Sequence, residues 1–473
     1  MPVKYKAMML QIPQYVSRWL PVVVSVLMLT NGYAQTPTIT VSQSGTISSS
    51  ANAVLANVPG TDSVRLTLAQ AENQFLARNI NLLTSQLGIS ESQAQQIQAQ
   101  LRPNPTVYLE LMPYSNGTGY TSGASDAGKR AFLPLGQSNS EQVVQIQQLI
   151  LLAGKRNKQL ALARTNTDIA RDRFQDLIRT LRYQLRSTFY DLYYSQQSVG
   201  VYDEEIATLQ QTVNLYQQQF DKGNVPLKDL ARLKAYLFNL TSERQGLLLR
   251  LTDAESEMGV LLNLSPAVLV RPVVIFNEVA AYNPASLNVN ELYGLADENR
   301  YDLKGFSDQA RFEQQNLTLQ RALARPDVTL QGTFDRNGAF GQNYVGIGAG
   351  IPIPITNRNQ GNIQAAKIRT ESSQQAIIAY RLQVDAEVQR AYAKAVQTDK
   401  LYRTFDTRFN ADFARLIQGV TENYKKQNIG IVEFLDFLDS YKNSQIQYRQ
   451  LQNNRMQSIE ELVFAVGKDP FVR

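Results

Sequence analysis

Two spacings of apolar residues alternate along this chain. Val199, Tyr202, Ile206, Leu209, Val213, Tyr216 and Phe220 follow one another in steps of three and four. After Pro226 the rhythm resumes at Leu230, Leu233, Leu237, Leu240, Leu247, Leu251, Ala254 and Met258, with Arg244 as the interruption. Spacing that averages 3.5 residues gives an apolar seam that winds two antiparallel helices together. Elsewhere the period drops to two. Val328, Leu330, Gly332 and Phe334 share one face against Asp327, Thr329, Gln331, Thr333 and Asp335. Val345, Ile347, Ala349, Ile351 and Ile353 likewise oppose Tyr344, Gly346, Gly348, Gly350 and Pro352. These runs predict strands with one apolar face and one face that is polar or poor in side chains.

The pattern occurs twice. Arg102-Pro103-Asn104-Pro105 resembles Ala324-Arg325-Pro326-Asp327, and Leu76 to Asn79 falls against Asp297 to Arg300, both at an offset of 221. Further along, Gly154 to Asn157 falls against Asn357 to Gln360 at 203, and Gly223-Asn224-Val225 against Gln427-Asn428-Ile429 at 204. One unit has been doubled, with a longer loop in one copy. Each copy reads helix, strand, loop, strand, very long helix, break, helix. The first helices are expected at Leu66–Leu101 and Leu287–Leu323. Strands are expected at Pro105–Tyr114, Val143–Leu152, Pro326–Asp335 and Tyr344–Ile353. The long helices run from about Asn157 to Lys222 and from about Gly361 to Lys426, followed by Leu227–Asn263 and Ile431–Val466. The domain plan is a signal peptide at 1–34, an extended leader at 35–63, a first repeat at 64–263, an irregular Pro-containing linker or belt at 264–286, a second repeat at 287–468, and a short tail at 469–473.

Composition narrows the chemistry. The chain has no Cys and no His, so disulfides, thiolate catalysis and the commonest general base and metal ligand are all missing. Lys4, Lys6 and Arg18 precede the apolar run Leu20–Leu29, and Gly32-Tyr33-Ala34 supplies small residues before a cleavage point, the pattern of a secretory signal peptide. Its removal takes the net charge from +6 to +3, a mild excess that speaks against nucleic acid as a partner. No later stretch is apolar for long enough to span a bilayer as a helix, so an exported chain that enters a membrane must do so as strands closed into a barrel. Four strands fall short of the roughly eight a barrel needs, so closure requires several chains. The connections Ser115–Gln142 and Arg336–Asn343 would lie at the end of the strands away from the helices. Gly346, Gly348 and Gly350 lack the spacing of a dinucleotide loop, and Gly154-Lys155 lacks the rest of a phosphate-binding loop. No catalytic, cofactor or metal site stands out.

Signal peptide, twofold repeat, paired strands and long helices broken near a Gly resemble the outer membrane efflux protein family, the TolC-like outer membrane factors. Leu151-Leu152-Ala153-Gly154-Lys155-Arg156 and Ile351-Pro352-Ile353-Pro354, with Asn357 to Gly361, look like its branch serving cobalt–zinc–cadmium-type efflux. Phe220-Asp221-Lys222-Gly223 is similar to the family's tip motif; in the second copy Tyr424 is kept, Gln427 replaces the Gly, and Gly430 follows three residues later. The resemblance implies a mainly α fold with a small β part. Long antiparallel coiled-coil helices would form an α-barrel, and four strands per chain would build a trimeric 12-stranded transmembrane β-barrel. It further implies a non-enzymatic, passive channel in the outer membrane of a Gram-negative bacterium, with its helices in the periplasm. The partners implied are two further copies in a homotrimer, a periplasmic adaptor (membrane fusion) protein, an inner-membrane resistance–nodulation–division-type pump and outer membrane lipid. Metal ions or small molecules would be the cargo; a type I polypeptide secretion duct shares the architecture and is the alternative. The adaptor-contacting tip would be Gly223, Asn224, Val225 and Pro226 with Gln427, Asn428, Ile429 and Gly430. Glu433 and Asp436, three apart on one helical face, would match the family's aperture carboxylates, where the first copy has Asp229 and Arg232.

Overall fold

In a computed structural model the described residues are 56–58, 61–111, 142–336, 343–404, 407–426 and 428–471. The expected signal peptide at 1–34, most of the expected leader, the expected connections around 115–141 and 337–342, and Gln427 of the expected tip lie outside them.

Helices α1 (Leu68–Arg78), α2 (Ile80–Gln100), α3 (Lys155–Asp221) and α4 (Leu227–Leu262) belong to the first copy. A short α5 (Phe276–Ala281) lies in the linker. The second copy holds α6 (Val289–Asn299), α7 (Tyr301–Leu323), α8 (Gln360–Thr404), α9 (Thr407–Lys425) and α10 (Ile431–Val466). Among the described residues no helix is long and apolar enough to cross a membrane. The 67 residues of α3 run unbroken, ~100 Å at 1.5 Å per residue. Both α2 and α4 pack along α3, which also packs on α7 and α10; α8 packs on the far side of α7 and α10. Seam residues Tyr202, Leu209, Val213, Leu233 and Leu240 are buried between the two hairpins together with Val420, Tyr424, Phe434 and Leu438.

Two expectations need correction. The first helix of each copy is not continuous. Residues 61–67 form a strand, β2, and the helix after it breaks at Asn79; its counterpart breaks at Arg300, 221 positions later. The breaks have a shared cause. Helix C-termini leave carbonyls without intrahelical partners, and the break residues supply them: Asn79 Nδ2 donates to Leu261 O at the end of α4 (3.0 Å), and Arg300 Nη1 to Ala465 O at the end of α10 (3.2 Å). The linker is also more ordered than its Pro content suggests. Strand β5 (Val268–Val273) pairs in parallel with β2 (Thr61–Thr67), which pairs with β1 (Ala56–Val58). The first-copy boundary drawn at 63/64 therefore cuts through β2. Strand propensity in Val268-Leu269-Val270 outweighs Pro272, whose missing N–H sits near the strand's end.

The other sheet is an antiparallel meander of β3 (Thr106–Leu111), β4 (Gln142–Ile150), β6 (Val328–Arg336) and β7 (Tyr344–Gly350), with both outer edges unpaired among the described residues. These strands end short of several expected bounds because Pro105, Pro326 and Pro352 donate no ladder hydrogen bond.

Candidate functional site

Register turns the alternation of the strands into two surfaces. Val107, Ile146, Gly332 and Ile347 stand in one row, and Leu109, Val144, Phe334 and Val345 in the next. The opposite face carries the rows Tyr108, Gln145, Thr333, Gly346 and Thr106, Gln147, Gln331, Gly348. The apolar face is bare: Leu109 is 69% exposed and Ile347 93%. The glycines of the polar face have a steric role. A Cβ on Gly346 would lie 2.8 Å from the Tyr344 ring, and one on Gly348 would lie 2.7 Å from the Gln331 amide. The side chains of Tyr344 and Gln331 lie in the space those missing Cβ atoms leave.

At the far end of the helices the two breaks sit side by side. After α3 the chain closes in a Schellman turn: Gly223 N–H donates to Phe220 O (2.8 Å) and Asn224 N–H to Gln219 O (2.9 Å), with Gly223 at φ +77°. Asn224 Nδ2 also donates to Gln219 Oε1 (2.7 Å). In the second copy Asn428 makes the corresponding bonds, N–H to Asn423 O (2.9 Å) and Nδ2 to Asn423 Oδ1 (3.2 Å). Pro226 and Gly430, both extended, start the return helices α4 and α10. Just behind the tip Tyr216, Tyr424 and Phe434 stack in parallel, at centroid separations of 5.0 and 4.1 Å. Ile429 packs on the same cluster, so the second tip is fixed to the bundle by an apolar contact.

Glu433 and Asp436 lie on the first turns of α10, opposite the buried Phe434 and Leu438. Both are exposed, and neither forms an ion pair or hydrogen bond among the described residues. The chain alone brings these two together and leaves them open to whatever lies beyond it.

Farther up the bundle lies a charged cluster that the sequence did not single out, built around two buried groups, Lys442 and Glu205, with the half-exposed Glu243 and Asp439 beside them. Lys442 of α10, 4% exposed, donates to Glu243 Oε2 (2.9 Å) and pairs with Asp439 Oδ1 (3.1 Å); Tyr202 Oη donates to the same Glu243 oxygen (3.2 Å). Glu205 faces them from α3, also 4% exposed, and neither carboxylate oxygen has a hydrogen bond. Burial pushes it up to about 8; Lys442 pulls it down, and the carboxylates of Asp439, Glu243 and Glu204 push it up. The signal was present, because 202, 205 and 209 keep steps of three and four and so place a carboxylate on the seam. Near the Arg300 break, burial works to raise the Asp302 carboxyl, but a hydrogen bond from Arg300 and the charges of Arg179 and Arg300 bring it down to about 2.

Comparison with known proteins agrees with this geometry. The model of a family described as outer membrane efflux protein matches residues 71–262 and 292–468. No curated protein matches the sequence. Among solved structures, CusC is similar over 85% of this chain and 92% of its own, at 18% identity and a TM-score of 0.66. The Campylobacter jejuni CmeC outer membrane channel covers 85% and 86%, at 12% identity and 0.68. The Neisseria gonorrhoeae MtrE outer membrane channel, in its open state, covers 85% and 89%, at 16% and 0.63. At these identities the likeness is one of fold.

Proposed function

The chain belongs to the outer membrane efflux protein family, a family of channels rather than enzymes, and on that premise we propose that it is the outer membrane duct of a tripartite efflux system. Three copies would form the conduit. An inner-membrane pump and a periplasmic adaptor would deliver metal ions or other small molecules to it, and its helices would stand in the periplasm. Export would begin with removal of residues 1–34. A chain without His or Cys offers few soft ligands, so discrimination among metals would rest with pump and adaptor.

The observation that carries the proposal is the open four-stranded sheet with a bare apolar face. Unpaired strand edges are not tolerated in lipid. Two copies would give an eight-stranded barrel whose interior side chains fill, whereas three give twelve strands and room for a pore. The helical layer calls for the same completion. Ile80, Leu87 and Ile97 of α2 and Phe238, Leu249 and Val260 of α4 are exposed along one edge, and Ile368, Ile378, Leu382 and Leu401 of α8 along the other. Edges of like character at opposite sides fit copies joined head to tail in a ring. The tip, Gly223 to Pro226 with Gln427 to Gly430, would meet the adaptor, and rings of Glu433 and Asp436 would line the aperture. Two measurements on the detergent-solubilised protein test the proposal together: cross-linking that saturates at three chains, and ion conductance in planar bilayers. Saturation at one or two chains, or a trimer that does not conduct, would refute it.

A further inference from the structure

The four chain segments at the helix-proximal end of the sheet are knitted together in this structure. Gln148 Nε2 donates to Pro103 O (3.0 Å), Leu152 N–H to Asp327 Oδ1 (2.9 Å), Lys155 Nζ to Arg325 O (2.7 Å), and Asn359 Nδ2 to Gln320 O (2.8 Å). Gly154 and Asn359, in the left-handed region at φ +66° and +60°, turn the chain from the sheet into α3 and α8. Asn359 lies two residues beyond the position expected from the offset of 203.

This junction is unbalanced in charge. Segments 98–105, 150–160, 318–328 and 350–362 carry Arg102, Lys155, Arg156, Lys158, Arg321, Arg325 and Arg358, against the single carboxylate of Asp327. Lys155 already pairs with that carboxylate at 2.7 Å. Arg102, Arg321, Arg325 and Arg358 are exposed, and none is ion-paired among the described residues. Apolar side chains are exposed at the same level: Leu101, Leu323, Ile351, Ile353 and Ile355, the last two at 79% and 73%. A soluble helical surface balances such charges with acids, as α3 and α7 do farther along through Asp168, Asp308 and Arg311. Bare isoleucines beside guanidinium groups that have no carboxylate partner among the described residues (Arg358 Nε donates only to Ile355 O, 3.3 Å) instead match a bilayer boundary, where acyl chains meet phosphate.

We propose that this basic collar binds the anionic headgroups of phospholipids in the leaflet facing the helices, and so fixes the depth of the barrel in the membrane. The assignment rests on the reading of the sheet as a transmembrane barrel. Guanidinium groups suit the task because their fork takes two phosphate oxygens at once. The phosphate contacts would do the anchoring that aromatic girdles do in other barrels.

Native mass spectrometry of the assembled protein, titrated with phosphatidylglycerol and separately with phosphatidylethanolamine of the same acyl chains, tests the proposal. The wild type is expected to hold phosphatidylglycerol in preference, less so in high salt. Changing Arg102, Arg321, Arg325 and Arg358 to Gln should abolish that preference. The milder pair Arg102→Gln with Arg358→Gln should lower it about fivefold per charge removed, which keeps the test alive if the quadruple variant does not assemble. Millimolar inorganic phosphate should leave the bound lipid in place; displacement by it would show a site for free phosphate and overturn the assignment to lipid. A wild type without preference, or an assembled double variant that keeps it undiminished, would also overturn the proposal. If such a wild type still conducts in planar bilayers, the channel reading stands; if it never enters a bilayer, both fail.

Discussion

Replacing Glu205 by Gln should remove a pH dependence from the stability of the helical bundle. The carboxyl group is buried between α3, α4 and α10, without a hydrogen bond to either oxygen, and is pushed from 4.5 to about 8. The folded state thus holds the proton more tightly than the unfolded chain. The stabilisation is complete below about pH 4.5 and is lost as pH rises toward 8. A shift of that size corresponds to on the order of 5 kcal/mol per chain across the window. Glutamine keeps the shape and cannot ionise. Thermal unfolding of the detergent-solubilised protein, followed by helical circular dichroism between pH 5 and 9, reads the effect. The two proteins should unfold at similar temperatures at pH 5, and the variant should gain steadily over the wild type up to about pH 8. Taking the difference between them matters, because Glu460, pushed by burial up to about 7, gives the wild type and the variant the same slope in the same direction. Parallel curves for the two proteins would refute the reasoning, since Glu205 would then contribute nothing to the pH dependence.

Other perturbations probe different parts of the molecule. Glu433→Gln with Asp436→Asn should lower cation selectivity and weaken block by multivalent cations from the helical end in planar bilayers; unchanged selectivity in an assembled variant would make them ordinary surface acids. Cysteines at Asn224 and Asn428, in a chain that has none of its own, should cross-link to the adaptor, and cross-links confined to the linker region would refute the tip assignment. Arg455 is 1% exposed, pairs with Asp399 and donates to Val279 O and Tyr282 O. Arg455→Ala should therefore cost roughly 3–5 kcal/mol in denaturant titrations, and Arg455→Lys should restore little because it lacks the fork. At Gly467, φ is +79° and a Cβ would stand 3.1 Å from Asn299 O, whereas at Gly223, φ +77°, it would meet nothing. Ala should therefore be tolerated worse at Gly467 than at Gly223, as read by relative melting temperatures.

Elements with a strong period were legible without coordinates. The steps of three and four around Tyr202 and Leu233 define a helical hairpin because only one stripe of each helix can leave water. The strict alternation from Val328 to Phe334 fixes a two-faced strand for the same reason. The tip breaks were legible too, since Gly223, Pro226 and Gly430 act on their own backbones. Asn79, Arg300 and β5 were not, because each is defined by a partner far away in the chain. Asn79 ends a helix in order to meet Leu261, Arg300 to meet Ala465, and Val268–Val273 is a strand through its pairing with Thr61–Thr67.

The helical hairpins and the two-faced strands were thus legible in the sequence, and with the resemblance between its two halves they pointed to the family. These follow from local periodicity, which every stretch of chain carries within itself. The steps at 202, 205 and 209 put Glu205 on a seam, but only packing settles how completely a charge there loses its water. Glu205 and Glu433 are both acids on amphipathic helices. Packing of α10 against α3 and α4 strips water from the first and raises its proton affinity, while the second remains solvated, and no local pattern records how far another helix stands from a carboxylate.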